Sequence, residues 1–462
     1  MDGGSRSTLM LQNHRKLPPH ASLLFGTKSR LSKTSVNYPL NDTQALAPYF
    51  ETAAPEPPPL DSARLRILQG VPLGLSANWR LAQGVDGLVA ARAQGSHVWD
   101  TADNEYVDYV CGLGTVLLGH AHPDVNAAIS AQLELGIQTA ATNPREIQLA
   151  DELCAAMPGM DSIRFHISNA AAILTALKIA RVATSRDLIL RFAGQYHGRQ
   201  ALGETLVLPW NDAEALRAAF TAHGTAIAGV IVEPVMASRG GFEPAGGFLG
   251  LVRHLTTSHQ ALFVLNESFT GLRIEFQGAI GKYLLTGNLG PDLVICGQSL
   301  GNGAPIGALA GRAKLMELLV SNAVSHFSTF NGNGLGIAAG LAVLSRLRLG
   351  GQGLYQGLTT RGRQLMSGLE QLGIEAGVPV ITRGPGPIFW LDLSSKPTPE
   401  PAFDVPIAEH PRYEQFRLAM LEHGVRLLPG GTWYLGTAHD DTDLDRTLSA
   451  ARVVLMEIGT AA

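Results

Sequence analysis

A chain of 462 residues exceeds the usual size of a single hydrophobic core, so a large domain with at least one smaller partner is expected. With 45% apolar and 16% charged residues, 52 glycines and 26 prolines, the composition excludes a disordered or fibrous chain. The net charge of −4 supplies no pull toward nucleic acid or an anionic membrane, and no apolar run reaches the roughly 18 residues of a membrane span.

The expectation is a cytoplasmic protein with no nucleic-acid or membrane partner. Cys111, Cys154 and Cys296 lie far apart without metal-ligand spacing, which reads as reduced thiols and no metal site. Arg6, Arg15, Lys16, Lys28, Arg30 and Lys33 stand against a single acid, Asp2, in the first forty residues. A basic arm packing across a dimer and an organelle transit peptide share that composition, and the arm is the preferred reading.

Residues 1–60 end in Pro55-Glu56-Pro57-Pro58-Pro59 and read as an extended arm, with a helical pattern beginning at Ala63. Residues 61–115 form the N-terminal part of a small domain. Within them Ser96–Asp100 and Asn104–Tyr109 alternate as a hairpin around Thr101-Ala102-Asp103. Residues 116–353 form the large domain. Strands are expected at 162–168, 187–192, 227–232, 262–265 and 293–296, with helices at 171–183 and 246–258 between them. Such alternation predicts a mostly parallel sheet covered on both faces, with ligands at the strand C-terminal ends. Residues 354–462 read as an α+β lobe containing Ile388–Asp392 and a terminal helix at 441–458.

One glycine-rich loop, Gly297-Gln298-Ser299-Leu300-Gly301-Asn302-Gly303-Ala304-Pro305-Ile306-Gly307, is weak evidence alone, because turns need positive φ for many reasons. It gains meaning from its order along the chain after Gly119-His120-Ala121-His122-Pro123, Tyr196-His197-Gly198, Val232-Glu233-Pro234-Val235 and Asn266-Glu267-Ser268-Phe269-Thr270-Gly271-Leu272-Arg273, and before Ser328-Thr329-Phe330-Asn331-Gly332-Asn333. Through these six landmarks the chain resembles the class III aminotransferases, closest to the glutamate-1-semialdehyde aminomutase branch, over residues 75–458. The resemblance implies an α/β fold of type I, with a seven-stranded large domain and a small domain from both chain ends. It further implies a homodimer with pyridoxal phosphate (PLP) sites at the interface.

The chemistry expected of such a site is altered at three places. The family's Schiff-base lysine corresponds to Gln298, whose amide nitrogen is neither nucleophilic nor basic. Its aspartate partner for the pyridine nitrogen corresponds to Asn266, which can donate to an unprotonated ring but cannot hold a pyridinium. Its Ser-Gly-Thr phosphate turn corresponds to Ser168-Asn169-Ala170. Two family positions survive: Tyr196, which matches the aromatic stacked on the ring, and Thr329, which matches a phosphate contact made from the partner subunit. Replacing the lysine is also how intermediates are trapped in a laboratory variant, but three coordinated changes argue against that origin.

Three readings stay open. The preferred one is a repurposed enzyme with no cofactor, using the vacated pocket for acid/base isomerisation, cyclisation or elimination of a small biosynthetic intermediate. Its candidate catalytic residues are Glu267, His166 and His197. Glu267 reads equally as a structural carboxylate and His197 as a satisfied core histidine. His166 stands where the family has a small apolar residue, and is expected to titrate near neutral pH. Tyr196, Arg239, Ser268, Gln298, His326 and Thr329 are the substrate-binding candidates. Arg239 sits on a loop that Gly240 and Gly241 make mobile, with a fork suited to a carboxylate. His326 is expected to enter a pocket across the dimer interface. The second reading is a non-catalytic subunit, homodimeric or paired with an active aminotransferase. The third is an enzyme holding PLP or pyridoxamine phosphate non-covalently. Among the lysines, Lys178, Lys282 and Lys314 read as surface residues, Lys282 being the one to examine.

Overall fold

The computed structural model describes residues 88–198, 202–283, 285, 287–394 and 411–460. The chain divides into two units, Met1–Leu60 and Asp61–Ala462. The N-terminal arm, its basic residues and the helical pattern from Ala63 all lie outside the described residues.

The expected hairpin is present as β2 (His97–Asp100) and β3 (Glu105–Asp108), with β1 (Ala90–Gln94) on its outer side. Its turn closes because the Asp100 carboxylate accepts from the backbone N–H groups of Ala102 and Asn104 at 2.9 Å each, while Asp103 takes the left-handed conformation, φ 64°. The fourth strand of this sheet, β13 (Val425–Arg426), comes from the other end of the chain and pairs parallel to β3.

The large sheet has seven strands in the order β4-β10-β9-β8-β7-β5-β6. They are β4 (Ser162–His166), β5 (Leu188–Phe192), β6 (Thr205–Leu208), β7 (Ile227–Val232), β8 (Leu262–Asn266), β9 (Leu293–Cys296) and β10 (Gly307–Gly311). β10 is antiparallel to both its neighbours and the remaining six strands run one way. Every residue of β7 and β9 is buried, as expected for strands covered on both faces, which explains their continuous apolar runs. Two strands lack the expected signal. β6 is a four-residue edge strand, and β10, Gly-Ala-Leu-Ala-Gly, has no β-branched residue. Small residues suit β10 because a Cβ on Gly307 would lie 2.4 Å from the Ser168 carbonyl carbon.

The helix Asn169–Thr184 starts where the Ser168 hydroxyl accepts from Ala171 N–H, and it ends at Ser185 in the left-handed conformation. The helical stretch Gly334–Ala376 is two helices meeting at a kink, Gly351 (φ 54°, ψ −152°), two residues before the boundary expected at 353/354. A three-stranded sheet of β11 (Ile381–Arg383), β12 (Ile388–Asp392) and β14 (Thr432–Tyr434), and the terminal helix Asp441–Thr460, complete the chain. No helix among the described residues is long and apolar enough to cross a membrane.

His97 ties the two chain ends together. Its ring meets Asp443 at 2.7 Å through Nε2 and Glu105 at 2.8 Å through Nδ1. The hydrogen bond to Asp443, against partial burial, raises its pKa above 6.5. A raised histidine contributes stability that is complete below its unfolded value and is lost as pH rises through the folded one. The wild-type melting temperature is therefore expected to fall on going from pH 6 toward pH 9, and His97→Gln to lose that dependence. An unchanged slope in the variant would refute the assignment.

Candidate functional site

The carboxyl ends of the parallel strands converge on one edge of the sheet, where open α/β sheets place ligands. β4 delivers His166 and Ser168 there, β5 leads into Gln195–Gly198, β7 into Glu233, β8 ends on Asn266, and β9 leads to Gln298. The β8 and β9 loops are held against each other. Gln298 N–H donates to Ser268 O at 2.9 Å, and the Ser299 hydroxyl donates to Gly271 O at 2.8 Å.

The Gln298 side chain has a specific partner. Its Nε2 donates to the carbonyl of Leu113 at 2.5 Å. Leu113 lies in a run of four left-handed residues, Cys111 to Gly114, with φ between 47° and 80°. Such a run leaves its carbonyls outside regular helix geometry, and Gln298 satisfies one of them.

Asn266 is fully buried and its amide is saturated. Nδ2 donates to Tyr196 O at 2.8 Å and meets His197 Nδ1 at 3.0 Å, while Oδ1 accepts from the Ser268 hydroxyl at 2.6 Å and the Ser268 N–H at 3.2 Å. No hydrogen remains for an external ring nitrogen, which corrects the expectation that this amide has a donor to offer. Ser268 is likewise spent inside the hub. Tyr196 is different: its backbone is fixed by Asn266 and by Glu233 (2.9 Å), but its ring is 39% exposed beside Phe269.

Glu267 is enclosed and accepts from Ala279 N–H at 2.7 Å and the Thr270 hydroxyl at 2.9 Å. Burial, partly offset by these donors, pushes its carboxyl up to about 7. It borders a small apolar cavity with Met157, Leu272, Phe276 and Cys296, and its bonds are those of a carboxylate tying a loop together. Glu233 is similarly buried, pushed up to about 8, and joins Tyr196 N–H to Ala237 N–H.

His166 is buried at the end of β4, its Nε2 without a partner among the described residues. Desolvation, reinforced by His326, pushes it down to about 3, so the expectation of a titration near neutral pH fails. His326 lies edge-on against His166 of its own chain, ring centroids 4.4 Å apart, with Asn331 at 3.1 Å on Nε2. Within the chain it therefore belongs to the surroundings of His166. Asn169, also buried, has neither amide atom bonded among the described residues. Ala170 follows it in the first turn of the helix, and Thr329, which holds Gln138 through its backbone carbonyl, is exposed.

Arg239 makes no side-chain bond or ion pair among the described residues, but its loop is pinned rather than mobile. Gly241 N–H bonds Met236 O, the Thr432 hydroxyl donates to Ala237 O at 2.7 Å, and a Cβ on Gly241 would lie 2.3 Å from Arg383 O. Lys282 pairs with Glu243 at 3.6 Å, and Lys178 and Lys314 are exposed on helices. No group of three or more His, Cys, Asp or Glu among the described residues is arranged to hold a metal. Sequence reasoning missed the Asn266 hub and the Leu113 carbonyl. A faint signal existed in Ser268 two residues after Asn266, a spacing that favours local side-chain bonds.

The family profile described as aminotransferase class III matches residues 81–208 and 203–438. Glutamate-1-semialdehyde 2,1-aminomutase of Chloroflexus aurantiacus is 35% identical over 425 residues, covering 85% of this chain and 95% of that protein. The enzyme of the same name from Anaeromyxobacter dehalogenans is 37% identical over 424 residues, covering 85% and 96%. Among solved structures, an omega-transaminase from Sphaerobacter thermophilus aligns with a TM-score of 0.79 and 25% identity over 90% of this chain and 99% of that one. A glutamate-1-semialdehyde aminomutase from Pseudomonas aeruginosa PAO1 gives 0.74 and 23% over 86% and 94%. With a profile spanning most of the chain and two near-full-length relatives above 30% identity, the chain belongs to the class III aminotransferase family.

Proposed function

We propose that this family member works without Schiff-base chemistry and uses the aminotransferase pocket, free of cofactor, for acid/base isomerisation, cyclisation or elimination of a small intermediate. The observation that carries the reading is the Gln298 side chain, which donates to the Leu113 carbonyl and stands where the family resemblance would put the Schiff-base lysine. Asn266, with both amide hydrogens engaged, and Asn169, placed in the first turn of the helix, support it. Covalently held PLP does not fit these residues, because Gln298 offers no nucleophilic amine. Tyr196 supplies an exposed aromatic face, Arg239 a guanidinium with no ion pair among the described residues and a fork suited to a carboxylate, and His166 an unpartnered ring nitrogen.

The active unit we propose is a homodimer. Phe327 and Phe330, 83% and 59% exposed, flank Thr329 in a surface that a second copy would cover. Freshly purified protein incubated with excess PLP and desalted is expected to retain well under one equivalent, and to turn over an intermediate with no PLP added. Retention of a full equivalent would overturn the cofactor-free reading. It would favour non-covalent binding instead, since a lysine-to-alanine variant of the Pseudomonas aeruginosa aminomutase was solved in complex with PMP.

A second reading is a non-catalytic subunit, favoured by the commitment of Glu267 and His197 to internal bonds. Co-purification with a lysine-bearing paralogue, without activity of its own, would mark that reading as correct.

A further inference from the structure

We infer that Asn266 is a positioning residue that fixes His197 as the tautomer protonated at Nε2, leaving it a permanent hydrogen-bond donor that takes no part in proton transfer. The backbone fixes the orientation of the Asn266 amide. Its Oδ1 faces the Ser268 backbone N–H, which can only donate, and its Nδ2 faces the Tyr196 carbonyl, which can only accept. Exchanging the two ends would set donor against donor and acceptor against acceptor, so the backbone settles which end is nitrogen.

The second Nδ2 hydrogen is directed at His197 Nδ1, 3.0 Å away. That ring nitrogen must therefore present its lone pair, and the ring proton resides on Nε2. Nε2 is buried and has no acceptor among the described residues.

Burial keeps the ring neutral. Desolvation disfavours a second proton, and Arg191, from β5, adds to this, so that the ring is pushed down to about 3. Glu233, at the end of β7, accepts from Tyr196 N–H and Ala237 N–H, and burial raises its carboxyl above the ordinary range.

An aspartate at 266 would reverse this arrangement. A carboxylate oxygen would face the Tyr196 carbonyl without a hydrogen between them, and it would call for a proton on His197 Nδ1. Exchanging one carboxylate for one amide therefore changes the tautomer of a neighbouring histidine. The inference goes beyond the cofactor-free reading and is independent of turnover, so either can fail alone.

The test is a long-range proton–nitrogen spectrum of the full-length 15N-labelled protein, with His197 identified by the signals missing in His197→Gln. The expected result is an Nε2–H pattern unchanged between about pH 5.5 and 8.5, the window in which an ordinary histidine titrates. Asn266→Asp is expected to give either an Nδ1–H pattern or a histidine that titrates within that window. Asn266→Ser, which removes the donor without adding charge, is expected to give mixed tautomers and serves as the readout if the aspartate variant does not fold. A wild-type His197 that titrates in this window or carries its proton on Nδ1 would overturn the inference. So would a pattern left unchanged in every variant that folds.

Discussion

Gly297→Ala is expected to lower the urea-unfolding stability by at least about 3 kcal/mol, beyond the usual range for an added core methyl. A Cβ there would lie 2.2 Å from the carbonyl oxygen of Gly271 and 2.9 Å from its Cα. Both are backbone atoms, so no rotamer change relieves the contact. The clash is reciprocal, because a Cβ on Gly271 would meet Gly297 N at 2.6 Å. These two glycines let the β8 and β9 loops touch, and that contact sets Gln298 N–H on Ser268 O. The control is Gly250→Ala, inside the helix Phe248–Ser258 with open space around the added carbon. It is expected to gain about 0.5–1 kcal/mol from helix propensity. A loss below about 1 kcal/mol for Gly297→Ala would show that the loops can separate freely.

Arg273→Ala is expected to cost on the order of 2–4 kcal/mol, because it leaves several buried carbonyls unsatisfied at about 1–3 kcal/mol each. Arg273 is fully buried and forms no ion pair among the described residues. Its guanidinium instead donates to the carbonyls of Leu435, of Gly114 at 2.7 Å and of Val116 at 3.4 Å. Removing it strands all three acceptors and frees the left-handed turn from the loop after β14. Lysine is not expected to rescue the loss, because a single ammonium cannot span carbonyls arranged for a planar fork. Amide exchange at residues 113–116 should rise in parallel, since the same turn holds the Leu113 carbonyl that Gln298 reaches. A melting temperature within a degree of wild type would disprove the clamp.

These two predictions bear on how the pocket is built. Gln298, Asn266 and Ser268 are all polar, which suggests a cavity lined for a ligand. In the folded chain most of that polarity is turned inward: Asn266 and Ser268 satisfy each other and His197, and Gln298 satisfies Leu113. Outside this network the Tyr196 ring is 39% exposed, and His166 Nε2 and the Asn169 amide have no partner among the described residues.

Much of the fold was legible in the sequence because it follows from local patterns. Continuous, β-branched apolar runs at 227–232 and 293–296 between helical stretches read as strands covered on both faces, and Ser168 ahead of an apolar-periodic stretch marks a helix start. β10 escaped because its evidence is steric: glycine and alanine there serve a close approach to Ser168 that no local propensity records. A cluster of glycines near residue 353 reads as a break, and the helical stretch Gly334–Ala376 does leave helical geometry there, at Gly351.

By itself, the sequence determined the family, the sheet that presents the site, and the absence of an amine at position 298, since these depend on residue identity and order along the chain. Only the tertiary structure decided what Gln298 and Asn266 do. A side-chain amide both donates and accepts, and which it does depends on the atoms opposite it. Here those atoms are the carbonyls of Leu113 and Tyr196 and the N–H of Ser268, backbone groups brought to the strand ends by the fold.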